Sequence, residues 1–159
     1  MKSKIFFLLS AIPFISSCAA TIDYYSYSYK PPGIDDPQAT ISIVGGKSTG
    51  DIFLRNVDEN GCDMGATPIL SRSTSTETIH AGEMVFFLHR FSRGNRICAV
   101  EFGFHPKAKG IYEIAGETTE SVCTSKIYEV VNTERVAMPV KKILYKKAGL
   151  TACRKLSAG

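Results

Sequence analysis

The sequence lacks an apolar run long enough to cross a bilayer. Its most hydrophobic stretch, IFFLLSAIPFI, covers residues 5–15, whereas a membrane-spanning helix needs about 20 apolar residues. Lys2 and Lys4 precede it, and residues 1–17 contain no acid. A short apolar segment behind a basic start is typical of a secretory signal peptide. We therefore expect residues 1–17 to be removed during export, and Pro13 argues against a buried core helix.

Motifs for catalysis and cofactor binding are also missing. No two cysteines are spaced as CxxC, which disfavours a thioredoxin-like redox pair and a zinc knuckle. There is no GxSxG nucleophile motif, and VGGKSTGD at 44–51 has Ile41 where a phosphate-binding loop needs glycine. The three histidines, His80, His89 and His105, lie on separate segments without metal-ligand spacing. We expect no enzymatic activity, no cofactor and no metal.

The cysteines predict disulfides. Apart from Cys18, four remain: Cys62, Cys98, Cys123 and Cys153. An even number in an exported chain indicates two disulfides, although four cysteines allow three pairings. We expect Cys98 to pair with Cys123, because two strand-like segments separated by one further strand could lie side by side in one sheet. The other pair, Cys62 with Cys153, would fasten the basic C-terminal segment to a turn.

The segment Ile15-Ser16-Ser17-Cys18 resembles the lipobox of bacterial lipoproteins, in which an aliphatic and two small residues precede the cysteine. The resemblance implies cleavage before Cys18, lipid on its thiol and acylation of the new amino terminus. Two or more acyl chains give a durable membrane anchor. In enterobacterial lipoproteins an Asp after the cysteine favours the inner membrane, so Ala19 implies the outer membrane. The alternative is a soluble periplasmic protein with a spare cysteine.

Residues 18–39 are expected to form a tether between the lipid and the folded domain. They are rich in proline and tyrosine and show no sustained helix or strand pattern. The tyrosines at 24, 25, 27 and 29 suit an aromatic patch at the membrane surface or on a partner. The alternative is a linker that packs loosely on its own domain.

Residues 40–159 show the short alternating segments and frequent turns of an all-β domain. We expect an antiparallel β-sandwich, or a partly open barrel, of about 7–8 short strands. EMVFFLHRF at 83–91 is apolar on both faces, as a central strand is, and Pro139 in RVAMPV indicates an edge strand. KKILYKKAGL at 141–150 is expected to form a short C-terminal helix.

Within this domain, residues 79–131 resemble small bacterial lipoproteins and, loosely, PEGA and transthyretin-like β-sandwiches. The shared features are an "AGE" turn at Ala81-Gly82-Glu83 and a turn with Pro106, Gly110 and Tyr112 that is similar to a "P..G.Y" turn. Those families imply binding, scaffolding or surface roles more often than catalysis.

Charge is distributed unevenly along the chain. From Cys18 onward the net charge is +2, but residues 135–159 contain seven Lys and Arg and no acid, which leaves −5 for the rest. Such a basic segment can bind phosphate groups of lipopolysaccharide or anionic lipid. The candidate residues are Lys141, Lys142, Lys146 and Lys147. The alternative is a segment that folds onto its own acidic body; nucleic acid is a poor candidate because the chain is exported.

Together these features predict a lipoprotein of the bacterial cell envelope, anchored through acylated Cys18 in the outer membrane and facing the periplasm. Its expected role is that of a non-catalytic binding or structural module, with the bilayer, an envelope protein or an anionic lipid as partner. The alternative function is a periplasmic inhibitor or an accessory subunit of an envelope or secretion assembly. An envelope enzyme is the third hypothesis.

Overall fold

The computed structural model describes residues 29–44, 50–71, 76–93, 96–118, 122–147 and 154–159. Within these residues the regular structure is entirely β. The strands are β1 (Gln38–Ile43), β2 (Asp51–Val57), β3 (Asp63–Leu70), β4 (Thr76–His80), β5 (Val85–Arg93), β6 (Arg96–Phe104), β7 (Ile111–Thr118), β8 (Cys123–Val131), β9 (Glu134–Met138), β10 (Lys141–Lys147) and β11 (Arg154–Ala158).

The strands form two sheets. Sheet A has the order β4-β1-β7-β8-β9, and sheet B has the order β11-β10-β6-β5-β2-β3. Neighbouring strands are antiparallel except β1 and β7, which pair in parallel. The expected β-sandwich is confirmed, although its strands outnumber the predicted 7–8.

The core lies between the sheets and follows from the alternation of apolar residues along each strand. In sheet B the β5–β6 ladder places Phe87 beside Phe102, with ring centroids 5.7 Å apart. Sheet A contributes Ile41, Tyr112 and other side chains that are fully buried. Burial of each large apolar side chain contributes about 1.5–3 kcal/mol. β5 is an interior strand between β6 and β2, so the prediction of a central strand is confirmed.

The two turn motifs meet at one end of the sandwich. Gly82 has a φ of +91°, and its N–H donates to the carbonyl of Pro106 at 2.9 Å. The buried Tyr112 hydroxyl accepts a hydrogen bond from the Lys107 N–H at 2.9 Å. A Cβ at Gly110 would lie 2.6 Å from the Tyr112 ring, so glycine is required there. These residues therefore serve to close the end of the core.

The expected C-terminal helix is wrong, because residues 141–147 form β10. Lys141 and Lys142 are exposed, whereas Ile143 is buried. β10 also pairs with neighbours on both sides, with β6 through Lys141 and Lys142 and with β11 along its length. This pairing overrides the helical preference of Lys and Leu. Residues 148–150 of the predicted helix lie outside the described residues.

The edge strand predicted from Pro139 is confirmed. β9 is the last strand of sheet A and ends at Met138, immediately before Pro139. At the opposite edge, the Tyr29 hydroxyl donates to the Thr78 carbonyl at 2.8 Å, and its ring packs against the core. Tyr29 therefore packs on the domain, while tyrosines 24, 25 and 27 lie outside the described residues.

Sheet B curls until its last strand contacts the turn between β2 and β3. Cys62 forms an isolated bridge with Lys155, and the Leu156 N–H donates to the Gly61 carbonyl at 3.3 Å. The Asp58 carboxylate holds that turn by accepting from the N–H groups of Asn60 and Cys62. This places the basic C-terminal strand next to residues 58–62.

Candidate functional site

The structure places the predicted basic residues on a hairpin of β10 and β11, which we call the basic hairpin (residues 141–147 and 154–158). In its register Lys146 lies opposite Lys155, and Lys147 lies opposite Arg154. The register therefore places Arg154 and Lys155 opposite two of the lysines predicted from the sequence.

The exposed lysines of the basic hairpin differ from Lys107 and Lys126 in their ion pairing. Lys107 pairs with Glu129 at 2.8 Å, and Lys126 pairs with Glu117 at 2.9 Å. These carboxylates raise the pKa of both lysines. By contrast, no acid among the described residues forms an ion pair with the exposed lysines of the basic hairpin, which are Lys141, Lys142 and Lys155.

The lack of ion pairs at these lysines argues against the alternative that the basic segment is neutralised by acidic residues elsewhere in the domain. β11 does run beside a turn that contains Asp58 and Glu59. However, the Asp58 carboxylate accepts two backbone N–H groups of its own turn, and Lys155 has no ion pair within the described part of the chain. Although β11 contacts the turn at residues 58–62, the exposed lysines of the basic hairpin stay available to an external anion.

The predicted disulfide between Cys98 and Cys123 is present, with Cα atoms 5.8 Å apart. The expectation that both cysteines lie in one sheet is wrong. Cys98 is on β6 of sheet B and Cys123 is on β8 of sheet A, because the chain passes from one sheet to the other at residues 105–110. The bond therefore cross-links the two layers, and closing a loop of this length contributes about 3 kcal/mol.

Cys62 is also disulfide-bonded. Its predicted partner, Cys153, lies outside the described residues, so that pairing stays a prediction. The bridge between Cys62 and Lys155 supports it, because Lys155 is close in sequence to Cys153.

A groove of about 660 Å³ opens at the disulfide, which we call the seam groove. It is lined by residues from three distant segments: 99–102 on β6, 123–125 on β8 and 140–143 at the start of β10, with Leu88 beneath. Two of the predicted binding residues, Lys141 and Lys142, therefore lie at a concave site. No sequence pattern indicates this groove, since its walls meet only through the fold.

Behind the groove, His89 and Ser125 form a hydrogen-bonded pair between the sheets. Nδ1 of His89 lies 2.9 Å from Oγ of Ser125, and the ring packs on Phe91 with centroids 4.5 Å apart. Nε2 is buried without a hydrogen-bond partner. Burial lowers the pKa of His89 to about 4, although Asp51 opposes the shift. The neutral ring is thus the stable form. Gly116 makes room for it, because a Cβ there would lie 2.9 Å from its Cε1.

Sheet B also buries an arginine that contacts two acids. Arg55 is 6% exposed and its guanidinium contacts Glu101 and Asp63, the latter at 3.2 Å. Glu101 therefore lines the seam groove with its carboxylate in contact with Arg55.

The described residues contain neither a cluster that could hold a metal ion nor a helix that could span a membrane. No group of three His, Cys, Asp or Glu side chains there is arranged to hold a metal ion. His80 contacts the carbonyl of Lys30 at 3.3 Å, His89 is buried and His105 is exposed. None of the described segments forms a helix with the length and hydrophobicity needed to span a membrane. The proposed lipid site, Cys18, lies outside the described residues.

The two packed layers define an all-β sandwich with one curled sheet. Comparisons with protein-family models, curated proteins and solved structures give no match to this chain.

Proposed function

We propose that this protein is a non-catalytic binding module of the bacterial envelope, anchored through lipid on Cys18, whose basic hairpin binds an anionic lipid surface. The lipobox-like sequence supports the anchor. The observation that carries the binding role is the set of exposed lysines without ion pairs on the basic hairpin, Lys141, Lys142 and Lys155.

The exposed side chains of Lys141, Lys142 and Lys155 have no ion pair within the described part of the chain, so no neighbouring acid balances their charge there. A surface of anionic headgroups supplies the balancing charge, and each lysine near such a surface contributes about 1 kcal/mol. Tethering at Cys18 raises the effective concentration of the hairpin at the membrane, so weak contacts there suffice.

The test measures binding of the unlipidated chain, Cys18→Ser, to vesicles that contain anionic phospholipid. Replacing four lysines of the basic hairpin, Lys141, Lys142, Lys146 and Lys147, with Gln should weaken binding by roughly three powers of ten at low salt. The Cys18→Ser chain with all its lysines intact should not bind to uncharged vesicles.

A matched control carries the same loss of charge elsewhere. It replaces four exposed lysines, Lys30, Lys107, Lys109 and Lys126, with Gln and should bind nearly as well as the parent chain. Equal weakening by both variants would show that only net charge matters, and failure of the parent chain to bind would refute the proposal.

A further inference from the structure

The seam groove has the dimensions of a small-molecule site. Its volume of about 660 Å³ lies within the roughly 300–1,000 Å³ that is usual for ligand pockets. The disulfide between Cys98 and Cys123 fixes the position of β8 relative to β6, and these two strands supply two of the walls. The groove therefore exists before any ligand arrives.

The lining of the groove favours an apolar ligand body. Leu88, Ala99, Val100 and Val140 contribute aliphatic surface, and Val140 is 40% exposed. The polar groups on the floor already have partners. The Ser125 hydroxyl is hydrogen-bonded to His89.

The other polar wall residues divide into engaged and available groups. Glu101 is bound to Arg55, and Thr124 is exposed at the rim. Lys141 and Lys142 are exposed, line the groove and have no ion pair among the described residues. The site thus combines an apolar floor with two available cations.

From these features we infer that the seam groove binds a long-chain fatty acid, with the acyl chain along the apolar floor and the carboxylate at Lys141 and Lys142. This goes beyond the proposed function, because the ligand is a single molecule held within the protein and not a membrane surface. Charge complementarity selects the acid over uncharged amphiphiles, and each buried methylene strengthens binding about fourfold. A long chain therefore binds more tightly than a short one.

The experiment uses the Cys18→Ser chain and a fluorescent polyene fatty acid, with displacement by an unlabelled fatty acid and by the corresponding fatty alcohol. Ala99→Trp, at an exposed position in the groove, should reduce affinity for the fatty acid at least tenfold. Val140→Trp provides a second filling variant should Ala99→Trp fail to fold. Unchanged affinity in a folded filling variant would overturn the inference.

The lysines are tested separately from the groove. Replacing both Lys141 and Lys142 with Gln should weaken fatty-acid binding by about five- to tenfold and leave the alcohol unaffected. Lys30→Gln combined with Lys109→Gln is the matched control and should bind as the parent chain does. Equal effects on acid and alcohol would overturn the assigned role of the two lysines.

The outcome is distinguishable from that of the vesicle experiment. Ala99→Trp keeps every lysine and should bind anionic vesicles normally while losing the fatty acid. A variant with Gln at four other basic positions, Lys146, Lys147, Arg154 and Lys155, should lose binding to anionic vesicles and bind the fatty acid normally. Either activity can therefore fail while the other persists.

Discussion

At the scale of single residues, His89 shows how the core constrains an ionisable side chain. The ring is fully buried, shares one hydrogen bond with Ser125 and leaves Nε2 without a partner. Burial removes the ring from water and so disfavours the charged imidazolium, which explains why the pKa of His89 is lowered. Alternation along β5 predicts that His89 shares a face with Phe87, but it does not say which face is buried. Its hydrogen-bond partner lies on the other sheet and had no sequence signal.

This burial predicts acid sensitivity. The pKa of His89 falls from the ordinary 6.5 to about 4 in the folded protein, so between these values the unfolded chain binds a proton that the folded chain does not. Its contribution to stability is complete above pH 6.5 and is lost as the pH falls toward 4, by about 1.4 kcal/mol per pH unit. Urea unfolding at several pH values measures this slope.

Two variants separate His89 from other groups that titrate in the same range. His89→Asn cannot ionise there and should show a flatter dependence on pH, even though it lowers stability overall. His105→Asn removes an exposed histidine and should retain the parent slope. The same slope in His89→Asn as in the parent chain would contradict the assignment.

At the scale of elements, local pattern and tertiary pairing contributed unequally to what could be predicted. β5 was predictable because FFL is apolar on both faces, and β9 because Pro139 cannot donate to a ladder. β10 was not, since Lys and Leu suit a helix and only its pairing with β6 and β11 makes it a strand. The parallel pairing of β1 with β7 and the walls of the seam groove arise from distant segments, which periodicity does not report.

The β8–β9 hairpin offers a test of backbone strain in one element. Asn132 and Thr133 form its two-residue turn with φ of 49° and 71°, the conformation that favours Asn-Gly. Thr133 is β-branched and is strained there, so Thr133→Gly should stabilise the protein by about 1 kcal/mol. Thermal unfolding should show a midpoint about 4 °C higher.

The control for this prediction is the same substitution within a strand. Thr124 is exposed on β8, where glycine only adds freedom to the unfolded chain, so Thr124→Gly should lower stability by about 1 kcal/mol. A loss of stability in Thr133→Gly would show that the turn is not strained.

At the scale of the whole molecule, the proposal joins a lipid anchor to a cross-linked domain that presents its charge on one hairpin. Replacing Cys18 with Ser should release the protein from the membrane fraction, because acyl chains contribute far more to membrane binding than exposed lysines do. Fractionation of cells that express each form measures this. A protein that still sediments with membranes after high-salt washing would count against lipidation.

The parallel pairing of β1 has a mechanical consequence. β1 is the first strand of the described residues and follows the proposed tether; in sheet A it lies between β4 and β7, hydrogen-bonded along both edges. A pull transmitted from a bilayer through the tether would load an interior strand in shear, where many backbone bonds must break together. An edge strand under the same load would peel away one bond at a time, so this topology suits a domain that is held by its amino-terminal end.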